Sequence, residues 1–129
     1  MESLQDFIRR VLKSRGDIRA IVLYGSLARG DEKPFMYSDV DVLIVADDLT
    51  SDPIERKNET MKLKKLPSII DDLWVTPKEL FDGIRGGWGV IIEAVMEGKV
   101  IYDPYGLIEE ARKLVRKLYV KTSAGYRFK

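Results

Sequence analysis

Two carboxylates, Asp39 and Asp41, stand two residues apart at the start of an apolar segment. In a β-strand, residues i and i+2 point to the same face, so the two carboxylates are expected side by side while Val40 and Val42 point into the core. Neighbouring negative charges repel each other unless a cation lies between them. The pair therefore predicts a site for a divalent cation such as magnesium, which prefers oxygen ligands. Taken alone, the spacing also fits incidental acids at an exposed strand start.

A second motif, Gly25-Ser26, follows the apolar segment 18–24. Glycine lets the backbone approach an anion closely, and free N–H groups with the Ser hydroxyl can hold phosphate oxygens. Arg29 either adds a phosphate contact or is a solvated loop arginine. A phosphate-binding turn at the end of one strand and a metal-binding pair at the start of the next together predict a site for a nucleoside triphosphate and its magnesium.

A third acidic position is expected, because two-metal phosphoryl or nucleotidyl transfer needs ligands on both sides of the metals. Asp71 and Asp72 interrupt the otherwise apolar segment 68–76. Neighbouring residues of a strand face opposite ways, so only one of the two can point at the metals. Strand periodicity alone leaves both of them eligible.

Composition narrows the chemistry further. The chain has neither His nor Cys, which excludes Ser-His-Asp catalysis, histidine–zinc sites and thiol nucleophiles. A net charge of +1 creates no whole-protein field that would attract nucleic acid, and it leaves such a partner open. The absence of a long apolar run and of a signal-like N-terminal segment predicts a cytoplasmic protein without membrane contact. A single Asn (Asn58) and a single Gln (Gln5) beside many Lys, Glu and Arg are typical of a thermophile protein.

The hydrophobic pattern alternates between helices and strands, which predicts an α/β fold with a small mixed sheet of about three to five strands flanked by helices. We expect one domain over residues 1–129, with a catalytic core at about 18–103, a helix at 106–119 and a flexible tail at 121–129. Glycines between 83 and 89 suggest a mobile loop. The predicted strands are 18–24, 39–46, 68–76 and 99–102, and the other predicted helices are 3–14, 53–65, a short one from Pro77 to about Phe81, and 90–97.

Residues 24–45, YGSLARGDEKPFMYSDVDVLIV, resemble the signature of the DNA polymerase beta-like nucleotidyltransferase superfamily, namely Gly-Ser, a spacer, and Asp-x-Asp or Asp-x-Glu on the next strand. The similarity is greatest to the minimal prokaryotic and archaeal (MNT-type) members. Residues 69–80, IIDDLWVTPKEL, are similar to the strand and helix start that carry the third acid in that family. This likeness aligns Asp71 with the third carboxylate and leaves Asp72 as the alternate.

The resemblance implies an enzyme that moves a nucleoside monophosphate, AMP from ATP above all, to an acceptor hydroxyl and releases pyrophosphate. It implies that Gly25 and Ser26 bind the triphosphate. Asp39, Asp41 and Asp71 would bind magnesium, with two ions expected, and Asp71 would also help deprotonate the acceptor.

Minimal members of this family are commonly paired with a small helical HEPN-type protein as toxin–antitoxin systems, so the resemblance implies such a partner as AMP acceptor. Two alternatives stay open: adenylation of a small molecule such as an aminoglycoside, and a non-catalytic module that binds nucleotide or a partner. The sequence leaves undetermined the acceptor, the base specificity, and whether the apolar stripe of helix 106–119 packs inside the domain or in a homo-oligomer.

Overall fold

The structure, a computed structural model, describes residues 2–25, 40–66 and 68–129. Helices and strands alternate along most of the chain, as the sequence predicts. In chain order the elements are α1 (Leu4–Ser14), β1 (Ile18–Tyr24), β2 (Val40–Ala46), α2 (Pro53–Met61), β3 (Ile70–Val75), α3 (Pro77–Arg85), α4 (Gly89–Glu97), β4 (Lys99–Tyr102), α5 (Leu107–Leu118), β5 (Tyr119–Thr122) and β6 (Gly125–Phe128).

Four strands form a mixed sheet in the order β3-β2-β1-β4. Strand β2 is parallel to β3, and β1 is antiparallel to both of its neighbours. The last residues of β1 therefore lie at the same border of the sheet as the first residues of the other three strands. We call this border the carboxylate edge; it carries Tyr24, Asp41, Asp71 and Lys99. The prediction of a small mixed α/β sheet is confirmed.

The two faces of the sheet are covered by different helices, because alternate residues of each strand point to opposite sides. Leu43 and Val45 of β2 belong to the core beneath α3, α4 and α5, and we call this side the three-helix face. Val42 and Ile44 belong to a second core, which also contains Phe7 of α1, and we call this side the α1 face. Both faces of β2 are buried, which explains its nearly continuous apolar sequence.

Capping residues define the helix starts where the sequence predicts them. The Thr76 hydroxyl accepts from the Glu79 N–H at 3.1 Å, the Glu79 carboxylate accepts from the Thr76 N–H at 2.8 Å, and Pro77 is the first helical residue. The helix then runs to Arg85 instead of ending near Phe81. Tertiary packing stabilises the helix across Gly83. The segment between α3 and α4 is therefore only residues 86–88, which is shorter than the predicted mobile loop.

The C-terminal segment differs from the prediction. Residues 121–129, expected to form a flexible tail, belong mostly to a β5–β6 hairpin. Tyr119 is buried, donates its hydroxyl hydrogen to the Ile84 carbonyl, and packs on Phe128 with ring centroids 4.4 Å apart. Each strand has only four residues, so the amphipathic pattern is too short to detect before α5 brings the hairpin against α3.

Topology decides where this hairpin lies. Strand β4 runs away from the carboxylate edge, and α5 connects the end of β4 to the hairpin, which packs against the end of α3. The hairpin also contacts the last turn of α4 through Lys121 and Glu97, whose charged groups are 2.7 Å apart. Among the described helices, none has the length and apolar character needed to cross a bilayer.

Candidate functional site

Asp41 and Asp71 are the centre of the candidate site. They are direct partners across the parallel β2–β3 pair, and Asp41 also faces Tyr24 across the antiparallel β1–β2 pair. Strand periodicity puts both carboxylates on the three-helix face, in line with Leu43 of β2 and Leu73 of β3. Asp71 is exposed and Asp41 is half-buried, so a ligand can reach the pair from solvent.

Gly25 closes the site at the end of β1. Its φ of +80° lies in the left-handed region, where a side chain is rarely tolerated. A Cβ at this position would collide with the Asp41 carboxylate, whose Cγ would be only 3.3 Å away. Glycine is therefore required here for two reasons, and the turn predicted to bind phosphate at residues 25–26 begins in contact with Asp41, a predicted metal ligand.

Negative charge is concentrated around Tyr24. Burial and, after it, the negative charges of Asp41, Asp71 and Glu93 together raise the pKa of the Tyr24 phenol to about 12. Glu93 lies on α4, and the sequence prediction missed it. The signal available was one carboxylate in the middle of the apolar helical segment Gly89–Val95, but only the docking of α4 on β1 shows what it approaches.

Asp72, the alternate third carboxylate, lies on the α1 face with Ile70 and Trp74. Its side chain is only 8% exposed. It accepts a hydrogen bond from the Trp74 indole N–H at 2.7 Å and pairs with the Lys64 ammonium at 2.8 Å. The structure thus brings Asp71 beside Asp41 and holds Asp72 in a separate buried ion pair.

Three of the predicted site residues, Ser26, Arg29 and Asp39, lie outside the described residues. Within the described ranges, no group of three or more His, Cys, Asp or Glu side chains forms a cation site. The chemistry of the described donors nevertheless fits magnesium. Asp41 and Asp71 present carboxylate oxygens from adjacent strands, which is the donor type that a hard divalent cation takes.

Comparison with known families agrees with this geometry. Residues 6–101 match the family model described as a nucleotidyltransferase domain. The match covers most of the chain, including Gly25, Asp41 and Asp71. The chain therefore belongs to the nucleotidyltransferase domain family and is a nucleotidyltransferase. Among curated proteins, no sequence matches this chain significantly.

Solved structures share the fold. A toxin–antitoxin complex with AMP-PNP contains a chain with a TM-score of 0.57 and 21% identity, covering 88% of this chain and 84% of that one. A complex of tri-AMPylated Shewanella oneidensis HEPN toxin with MNT antitoxin gives 0.54 and 21%, covering 88% and 84%. Spectinomycin adenyltransferase AAD(9) from Enterococcus faecialis, with ATP and spectinomycin, gives 0.54 and 16%, covering 89% of this chain and 65% of the enzyme. Identities this low show a shared fold and assign no substrate.

Proposed function

We propose that the protein is a magnesium-dependent nucleotidyltransferase that transfers AMP from ATP to an acceptor hydroxyl. The observation that carries the proposal is the pairing of Asp41 and Asp71 on one face of the sheet, with Gly25 packed against Asp41. Two carboxylates on adjacent strands next to a glycine turn form the arrangement that a metal–triphosphate substrate requires. The family match supports the same activity.

In this proposal the acidic residues bind the metal, and the turn after β1 binds the triphosphate. Asp39, Asp41 and Asp71 would hold the metal, which when bound neutralises charge on the phosphates and aligns the attacking and leaving groups. The turn at Gly25-Ser26 holds the triphosphate through backbone N–H groups and the Ser hydroxyl. Arg29 would add a phosphate contact.

Asp71 has a second role in this proposal. Of the two described carboxylates it is the exposed one, so an acceptor from solvent can reach it. Asp71 takes the proton of the acceptor hydroxyl as the oxygen attacks the α-phosphorus. A new O–P bond forms, the bond to the β-phosphate oxygen breaks, and pyrophosphate leaves.

For the acceptor, we propose a hydroxyl of a small helical HEPN-type partner protein. The support is the likeness to the complex of tri-AMPylated HEPN toxin with MNT antitoxin, which covers 88% of this chain. The second candidate acceptor is an aminoglycoside-like small molecule. It is favoured by the likeness to spectinomycin adenyltransferase, although this chain covers a smaller share of that enzyme.

Ligand-induced stabilisation tests the site. ATP with Mg²⁺ is expected to raise the Tm, because a ligand that binds only the native state stabilises it. Asp41→Asn should remove that rise by removing a metal ligand, whereas Glu109→Gln, on the exposed surface of α5, should preserve it. Differential scanning fluorimetry measures all three proteins. The site proposal fails if ATP with Mg²⁺ leaves the native Tm unchanged.

Label transfer tests the acceptor. The protein is incubated with Mg²⁺, ATP labelled at the α-phosphate, and either a HEPN-type protein or spectinomycin. We expect the label on the HEPN-type protein and no transfer from γ-labelled ATP, because pyrophosphate is the leaving group. Label on spectinomycin alone would select the small-molecule acceptor, and label on neither would contradict both.

A further inference from the structure

A groove of about 790 Å³ separates α4 from the β5–β6 hairpin. Its walls combine apolar and charged side chains. The residues that matter for its chemistry are Val90, Glu93, Glu97, Lys121, Tyr126 and Phe128. The volume lies within the range of about 300–1,000 Å³ that is typical of small-molecule sites.

The groove has a rigid end. Glu97 joins its two walls, because its carboxylate accepts from the Tyr126 hydroxyl at 2.5 Å and pairs with the Lys121 ammonium at 2.7 Å. The Lys121 ammonium also lies 5.7 Å from the centre of the Tyr126 ring. These contacts fix the hairpin to the last turn of α4, so the groove is a feature of the folded chain.

The groove opens beside the carboxylate edge. Gly98 directly follows α4, and a Cβ there would contact the side chain of Val22 and lie 3.0 Å from the Leu23 carbonyl oxygen. Helix α4 therefore ends next to the last residues of β1, just before Gly25. Glu93 lies between the two regions, since it lines the groove and is near both Tyr24 and Tyr126. Burial is the main cause that raises the pKa of both phenols; the charge of Glu93 adds to it, after Asp41 and Asp71 at Tyr24 and after Glu97 at Tyr126.

The groove lies on one particular side of the carboxylate pair. Its end at Glu97 is followed in the chain by Gly98, which packs on Val22 and Leu23 of β1 just before Gly25, whereas Asp71 lies two strands away on β3. A nucleotide whose phosphates are held at Gly25 would therefore extend its nucleoside towards this end of α4. An acceptor deprotonated by Asp71 approaches from the β3 side.

Phe128 provides the surface that a base needs. Its ring packs on Tyr119, yet 54% of the residue stays exposed, and Val90 on the opposite wall is 43% exposed. Exposed aromatic rings commonly bind bases by stacking, and the larger ring system of a purine gives the larger contact.

We propose that the groove between α4 and the β5–β6 hairpin binds the nucleoside of the triphosphate substrate, with a purine base against Phe128. The inference rests on the proposed function, because it takes the phosphates to be held at Gly25 and the carboxylate pair. It goes beyond that function by assigning the base to a hairpin that follows the family-matched residues 6–101.

Isothermal titration calorimetry with Mg²⁺ and two ligands, ATP and inorganic tripolyphosphate, tests the inference. Phe128→Leu is expected to weaken ATP binding at least about fivefold by loss of stacking and to leave tripolyphosphate binding unchanged. Phe128→Trp should retain ATP binding. The matched control is Val120→Thr, because Val120 is 40% exposed on the opposite face of the same hairpin. The native protein should bind ATP and GTP more tightly than CTP and UTP.

A second variant removes any dependence on hairpin stability. Val90→Trp adds a large side chain at an exposed helical position and should block ATP while tripolyphosphate still binds. The proposal is overturned if Phe128→Leu and Val90→Trp bind ATP as the native protein does, or if they weaken both ligands equally. Equal affinity for all four nucleoside triphosphates also overturns it. A native protein that binds neither ATP nor tripolyphosphate shows instead that the phosphate and metal site itself has failed.

Discussion

Asp71 and Asp72 are adjacent in the chain and belong to different parts of the molecule. Asp71 is exposed on the three-helix face beside Asp41, whereas Asp72 is buried on the α1 face with Lys64 and Trp74. Strand alternation alone produces this division. A buried carboxylate without a partner would lower the free energy of unfolding. The Lys64 ammonium and the Trp74 indole N–H are the partners of the Asp72 carboxylate.

Substitution of the two acids should separate activity from stability. Asp71→Asn is expected to lower kcat by about a thousandfold, because it removes the proposed base and metal ligand, with a change in unfolding free energy within about 0.5 kcal/mol. Asp72→Asn should cost about 2–4 kcal/mol of stability by leaving the Lys64 charge uncompensated, with kcat near native. Transfer assays and urea unfolding measure the two effects. The reverse pattern would make Asp72 the functional acid.

Substitution of Gly25 gives a second test at the scale of single residues. Gly25→Ala places a Cβ against the Asp41 carboxylate at a φ of +80°, so transfer activity should be lost and unfolding free energy should fall by about 1–2 kcal/mol. Gly16→Ala is the matched control, because a Cβ there meets nothing within 4 Å. Equal effects of the two substitutions in both assays would contradict the close packing of Gly25 on Asp41.

At the scale of elements, α2 covers the unpaired side of edge strand β3. The outward carbonyls of edge strand β3 accept from side chains of, or just after, α2, namely Ile70 from Lys64 and Trp74 from Arg56, each at 3.3 Å. An edge strand whose carbonyls are occupied is a poor template for pairing with another chain. Arg56 also joins α2 to α3 through two hydrogen bonds to Glu79, at 2.8 and 3.1 Å.

The Arg56–Glu79 contact predicts a pH dependence. The hydrogen bond from Arg56 lowers the pKa of Glu79 below its ordinary 4.5, despite the opposing effect of burial. The contribution of Glu79 to stability is therefore complete above the pKa of the unfolded chain and is lost as the pH falls through the lower pKa of the folded state. Glu79→Gln keeps a residue suited to the capping box and removes the charge.

Urea unfolding should accordingly show native protein more stable than Glu79→Gln at about pH 7, with the difference disappearing at about pH 3. Glu109→Gln, which removes an exposed ion pair on α5, should show a much smaller dependence. A stability difference for Glu79→Gln that stays constant across this range would rule out the charge as its source.

The elements show what local sequence can predict. Strands β1 and β2 and the capped start of α3 follow from apolar runs and from the Thr76-Pro77 signal, which act within a few residues. The hairpin is different, because its core contact joins Tyr119 to the Ile84 carbonyl far away in the chain. Such a contact is decided by the return of α5 towards α3, which no short window of sequence contains.

At the scale of the whole molecule, the candidate site residues that the structure describes, Gly25, Asp41 and Asp71, lie at the carboxylate edge of the sheet. Asp41 and Asp71 could be predicted to share a site. The two-residue interval between Asp39 and Asp41 indicates a strand start, and the family resemblance assigns Asp71 to the start of the next acidic strand. The sheet order could not be predicted, since β4 pairs with β1 across most of the chain. Glu93 was missed for the same reason: its position beside Tyr24 depends on the docking of α4.

Stability of the whole chain gives the last prediction. The scarcity of Asn and Gln predicts a thermophile protein, and ion pairs connect distant segments, with Arg19 and Asp47 3.1 Å apart and Arg56 and Glu79 2.8 Å apart. Ion pairs contribute more to stability at high temperature, because the desolvation penalty of ions falls as temperature rises. We expect a Tm above about 70 °C by scanning calorimetry at low salt, compared with about 45–65 °C for mesophile domains. Added NaCl should lower the Tm by screening the exposed pairs. A Tm within the mesophile range that is insensitive to salt would contradict both the compositional inference and the role given to these ion pairs.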